Sequence, residues 1–325
     1  MSYITIDDVD YDIIDTKERM SIPDNFVVNS NKVGTGNGEA KFYVGNDNET
    51  TRTFFGEEPF EIKCFLLKRD LLQYLTQIKV DYDNPEQLYR SRAELSELWR
   101  KRYEAVKMFP DVIWFNADEQ AHLQGPRVYI NSRDRAYLLI REIALPDITY
   151  ISAMKLSGND GSVVFYFRLF IERIEKDNSV VANQEIKKIE EEPDIAPAKK
   201  NQIIYARVGQ GKYREALLGE CPFCPVTLVS DDRLLIASHI KPWAASDEKE
   251  KIDPKNGFMF TPTFDFLFDR GFISFSDDKK MQVSPWLSKV TCKKLDLVDQ
   301  RIYPMLPTEN REKYLAYHRE NIFKK

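Results

Sequence analysis

Residues 233–240 (RLLIASHI) and 257–260 (GFMF) are short apolar runs rich in β-branched or aromatic side chains, and each predicts a strand. The run TPTFDFLFDRG that follows predicts a helix, with Thr261 as N-cap, Pro262 at the first helical position and Gly271 as its stop. Strand, long loop, strand, helix is a ββα unit. Upstream, GKYREALL (211–218) predicts a short helix. In the first half, Leu88, Leu95, Leu98, Trp99 and Val106 recur at helical spacing until Phe109-Pro110 ends the run. Asn84-Pro85 with Gln87 reads as the cap and first turn of that helix. ITYISAMKL, the turn Gly158-Asn159-Asp160-Gly161 and the strand-like SVVFYFRLFIERI predict a hairpin.

Between these halves the pattern lapses. Residues 176–202 hold few large apolar side chains, an acidic cluster at Glu190–Glu192, and Pro193 and Pro197, the composition of a charged linker. The expected fold class is α+β: a mixed α/β domain over 1–175, the linker, and a domain with the ββα unit over 203–325. The length of 325 residues suits two such domains. No repeat of 20–50 residues is visible. No apolar run approaches the about 18–20 residues that span a bilayer, and the acidic start lacks a signal-peptide layout. A cytoplasmic protein without membrane contact is expected. Four cysteines, of which only Cys221 and Cys224 are neighbours, make no disulfide framework.

The formal charge of −5 argues against a grip on nucleic acid, but it averages unlike halves. From Lys199 onward there are 22 Lys and Arg against 17 Asp and Glu, whereas the remainder carries a net −10. The second half therefore has the sign that phosphate contact favours.

On the ββα unit, His239 ends the first strand, Asn256 precedes the second, and Asp265 and Asp269 stand four apart on the helix. Residues at i and i+4 share a helix face, so both carboxylates can point one way. Such a pair suits a hard divalent cation, Mg²⁺ or another such as Mn²⁺, which keeps several waters and bridges to phosphate. A histidine facing that ion would activate water for attack on a phosphodiester.

ASHIKPW followed by DPKNGFMFTPTFDFLFDRGFISF resembles the HNH endonucleases, especially a subgroup associated with restriction enzymes. GQGKYREALL upstream and the terminal REKYLAYHRENIF are also similar to that subgroup, so the resemblance covers about 203–325. It implies a ββα-metal HNH nuclease domain acting on double-stranded DNA, in restriction-modification and phage defence, with the N-terminal domain choosing the target by sequence or base modification. His239 would be the general base and Asn256 would hold the loop and orient that base. Asp265, where the family usually has histidine, and Asp269 would be metal ligands. Because one such site cuts one strand, a homodimer is expected.

Two positions depart from the family pattern. Ser238 stands where many members have an Asp or His ligand, which leaves open a DNA-binding protein that has lost catalysis. Many members also hold a structural zinc with two Cys-x-x-Cys pairs. Here Cys221-Pro-Phe-Cys224 supplies one pair, while Thr261 and Phe264 occupy the place of the second, so no structural zinc is expected. A nonspecific nuclease toxin is a further alternative.

The remaining motifs point to structure. His318 lies at helical spacing with Tyr314, Leu315 and Ile322, and reads as a packing residue; His122 has no evident partner. Gly34-Thr-Gly36-Asn-Gly38 lacks the Gly-Lys-Ser/Thr of a phosphate loop. Arg90, Arg92, Arg100, Lys101 and Arg102 are interspersed with Glu94, Glu97 and Glu104, as on a solvated helix face. Trp99, Trp114 and the Phe165-Tyr166-Phe167 run are material for a base-binding pocket or, more simply, for a core.

Overall fold

The hairpin around Gly158–Gly161 forms the middle of a large sheet. The structure, a computed structural model, describes residues 3–22, 41–84, 95–120, 126–145, 148–171 and 211–325. The chain divides into two units: residues 1–174 with 285–289, and residues 175–284 with 290–325. The linker at 176–202, His122, the Gly34–Gly38 run, Arg90 and Arg92 lie outside the described residues.

In the first unit eight strands run in the order β1 (Tyr3–Ile6), β2 (Val9–Ser21), β7 (Thr149–Gly158), β8 (Val163–Ile171), β4 (Glu61–Leu67), β5 (Val112–Gln120), β6 (Arg127–Asn131) and β3 (Phe42–Asn46). All neighbours are antiparallel except β4 and β8. Alternate residues of the central strands face one core: Ile62, Cys64 and Leu66; Ile113, Phe115 and Ala117; Phe165, Phe167 and Leu169. Phe54 and Phe55 of α1 (Glu49–Phe55), Leu71, Tyr74 and Leu75 of α2 (Lys68–Gln77), Val106 of α4 (Leu95–Lys107) and Tyr137 and Ile140 of α5 (Arg135–Ile143) complete it. On the other face Tyr166 stacks on Phe65 at 4.9 Å and meets Trp286 edge-on at 5.0 Å.

Several details differ from expectation. Asn84 closes a short helix that the pattern did not predict, α3 (Lys79–Asp83), by donating its backbone N–H to the Val80 carbonyl. Pro85, Gln87 and Leu88 lie outside the described residues. Arg102 is buried rather than solvated, donating to the Tyr82 hydroxyl at 3.1 Å. Trp99 donates to the Leu75 carbonyl at 2.7 Å, so it serves packing. The 13-residue strand β2 escaped the sequence pattern because its apolar alternation, kept over Val9–Ile13, is interrupted where the register with β7 shifts at Ile13/Asp15 and Lys17/Met20, and its strand form comes from pairing with β1 and β7. Among the described residues no helix is long and apolar enough to cross a membrane.

The second unit carries the predicted ββα: β9 (Ile236–His239), β10 (Gly257–Phe260) and α7 (Pro262–Asp269), preceded by a helix described over 211–220, α6. The first strand is shorter than its apolar run, because Asp232–Leu234 forms a 3₁₀ turn stabilised by the Asp231 carboxylate. β10 is buried at every position, which is why it reads as an unbroken apolar run. Thr261 caps α7 without a side-chain bond. At the other end Gly271, at φ 69°, donates to Phe268 O, and Phe272 donates to Leu267 O, the paired bonds of a Schellman stop. Phe258, Phe260, Phe268 and Phe275 form the aromatic core beneath the ribbon, with centroids 5.3–6.1 Å apart.

Candidate active site

The antiparallel register sets Gly257 opposite His239 and Phe258 opposite Ser238, so the long loop 240–256 closes on itself at the end of the ribbon. Asn256 is the closure. It is fully buried, and its Oδ1 accepts from Lys241 N at 2.8 Å. Its Nδ2 donates to Lys241 O (3.1 Å), Ser246 Oγ (3.2 Å) and Glu250 O (3.1 Å). Three turns of the loop are thereby tied to one amide. Lys241 and Glu250 add an ion pair across the loop at 2.5 Å.

His239 is held by that closed loop. Its Nε2 lies 3.0 Å from the Lys251 carbonyl, one residue beyond the Glu250 carbonyl that Asn256 holds. A carbonyl only accepts, so Nε2 carries a proton, and in the neutral form of the ring the lone pair is on Nδ1. The ring stacks on Tyr213 at 4.0 Å and 14° and meets Trp243 edge-on at 5.6 Å. The Tyr213 hydroxyl donates to Asn256 O at 2.9 Å, and burial pushes its pKa well up, which keeps it a donor.

Asp265 and Asp269 share a face of α7 as the spacing requires. Burial, followed by repulsion from Asp269, pushes Asp265 up to about 6, while Ser238 opposes the shift by hydrogen bonding to the carboxylate. Asp269 is also raised by its desolvated surroundings and held down by Arg270. Two carboxylates on one helix face, Asp265 half-buried and Asp269 48 % exposed, are a donor set that fits a hard divalent cation. Ser238, 4 % exposed, adds a hydroxyl at the place of the missing family ligand. Among the described residues no three His, Cys, Asp or Glu side chains converge to hold a metal. Waters and phosphate oxygens would therefore complete the sphere, the usual habit of Mg²⁺.

The site residues thus form two groups, His239 with Asn256 and Asp265 with Asp269, linked through the consecutive residues Ser238 and His239. Cys221 and Cys224 are buried free thiols, and burial pushes Cys221 up. Thr261 and Phe264 bring no thiolate to them.

Sequence reasoning missed the supports. Arg311, 2 % exposed, donates to Gly257 O (3.1 Å), Pro254 O (3.2 Å) and Glu220 Oε2 (3.2 Å), bracketing Asn256 in the chain. Tyr314 donates to Asp253 Oδ2 at 2.7 Å. A Cβ on Gly257 would lie 1.8 Å from the Tyr213 hydroxyl, so this position admits only glycine. The one hint was that Tyr213, Arg311 and Tyr314 sit in the flanking blocks similar to the family. His318 is a packing residue: it stacks on Phe268 at 3.9 Å, donates from Nε2 to Phe268 O and meets Ser274 Oγ through Nδ1, both at 2.9 Å.

No curated protein matches the chain at a significant level. Residues 221–276 match the family model described as HNH endonuclease, a span that holds both strands, the anchored loop and the carboxylate helix. The C-terminal part of this chain carries an HNH endonuclease domain.

Proposed function

We propose that the chain is a metal-dependent DNA endonuclease of the restriction type, cutting with residues 203–325 and choosing its target with residues 1–175. The observation that carries the catalytic part is the tether from Asn256 through the loop to Lys251 O, which leaves the His239 lone pair on Nδ1. In this reading Nδ1 of His239 takes the proton of the attacking water, and the Tyr213 ring fixes the plane of the imidazole during that transfer. Asp265 and Asp269 would hold the divalent ion, which supplies stabilisation of charge on the leaving oxygen. Asn256 acts through the loop as a positioning residue. The basic balance of the second half favours phosphate contact. Since one site cuts one strand, scission of a duplex requires two copies, and a cytoplasmic homodimer fits that need.

The test is plasmid nicking with Mg²⁺ or Mn²⁺ over unmodified, methylated and glucosylated DNA, with fragment ends sequenced. His239→Ala should abolish nicking while leaving DNA affinity intact. Full activity in that variant removes His239 as base. A wild-type protein that binds DNA but nicks none of the three removes catalysis and leaves a DNA-binding protein, the reading that Ser238 favours.

A further inference from the structure

α7 presents a second ridge beside the carboxylates. Phe266 and Arg270 each follow one of the two aspartates and, being four apart, lie along the helix parallel to them. Phe266 is 49 % exposed although it sits mid-helix in an aromatic-rich domain. The Arg270 guanidinium lies 5.8 Å from the Phe266 ring centroid. Its buried Nε has no hydrogen-bond partner among the described residues, and the Asp269 carboxylate is 3.8 Å away, beyond hydrogen-bond reach. The side chain stays 21 % exposed and Nε is itself buried, so the terminal nitrogens of the guanidinium are the donors left to meet a ligand beside the candidate metal site.

We propose that the Phe266–Arg270 ridge holds the nucleic-acid strand next to the scissile phosphate. Arg270 hydrogen-bonds a backbone phosphate, and the Phe266 ring packs on the adjoining sugar or base. A guanidinium matches the geometry of a phosphate bidentately, and an exposed ring beside it offers a stacking surface independent of sequence. The assignment rests on the nuclease reading and names two residues that touch its substrate. The rival role for Arg270 is only to neutralise Asp269, whose carboxyl it holds down.

Binding of a fluorescent random-sequence duplex by His239→Ala protein, titrated by anisotropy across NaCl concentrations, separates these roles without cleavage. Arg270→Gln should weaken binding about tenfold and reduce the slope of log K against log[salt] by about 0.9, the loss of one phosphate contact. Arg270→Lys should keep the slope, and Phe266→Ala should lower affinity with the slope unchanged. In an Asp269→Asn background the Arg270→Gln effect should persist in full. An unchanged slope and affinity in folded Arg270→Gln overturns the proposal, as does an effect that vanishes with Asp269→Asn. Either result leaves the nuclease reading standing if wild-type protein nicks plasmid. Failure of the wild type to bind or nick any DNA overturns both.

Discussion

Asn256 offers the sharpest test of how the loop builds the site. Its side chain makes four hydrogen-bond contacts inside the loop, one accepted and three donated. The amide has two protons, so its three donated contacts count as two bonds; at about 1 kcal/mol net for each bond, Asn256→Ala costs about 3 kcal/mol. Since every 1.4 kcal/mol is tenfold, the loop opens roughly a hundred times more often. Asn256→Asp decides whether bonding or volume matters. It fills the same space and still accepts from Lys241 N, but sets an anionic oxygen against the Lys241 and Glu250 carbonyls. If bonding governs, the aspartate is no better tolerated than the alanine. The loop carries Lys249, Lys251 and Lys255, so limited trypsinolysis reads its opening directly. Nicking kinetics then read His239, which loses its Lys251 tether, and under the proposed role a fall of roughly 100-fold is expected from mispositioning alone. Wild-type trypsin resistance and wild-type nicking in Asn256→Asp would refute the reasoning.

Two further outcomes follow from the same geometry. Asp265→Asn removes a carboxylate that burial and repulsion from Asp269 push up, so without metal the urea midpoint should rise while the thermal shift on adding Mg²⁺ disappears; a lower midpoint, or an unchanged metal shift, counts against the pair as a cation site. His318, 1 % exposed, is held neutral by burial with its pKa lowered to about 4, so its stabilising contribution is complete above about 6.5 and is lost as pH falls through 4. The full loss is about 3 kcal/mol, and the difference in urea stability between wild type and His318→Gln should shrink by that amount from pH 7 to pH 4. Asp265, raised rather than lowered, contributes in the opposite sense, but it is common to both proteins and cancels. A difference that stays constant with pH sinks the assignment.

The ββα unit was legible because its signals are local. Pro262 and Gly271 bound a helix by backbone chemistry alone, and GFMF, buried at every position, can only be a covered strand. The four-residue spacing of Asp265 and Asp269 likewise fixes their shared face before any packing is known. His239 and Asn256 could be named from their places at the ends of the two strands and from the family resemblance. The neutral tautomer of His239, however, depends on a carbonyl twelve residues away.

What the tertiary structure alone decided is everything that depends on contacts between distant segments. The order of the eight strands, with β8 parallel to β4, follows from pairings that leave no mark in local pattern. β2 is a strand despite its charges because β1 and β7 satisfy its backbone. Tyr213 and Arg311 approach Asn256 from 43 and 55 residues away, and their roles exist only once folding sets them on its carbonyl and on those of its neighbours. Sequence by itself determined which residues could do chemistry and on which face of which element they lie. Folding determined which donors and acceptors remain to hold them, because a buried polar group must be satisfied by whatever the fold brings near.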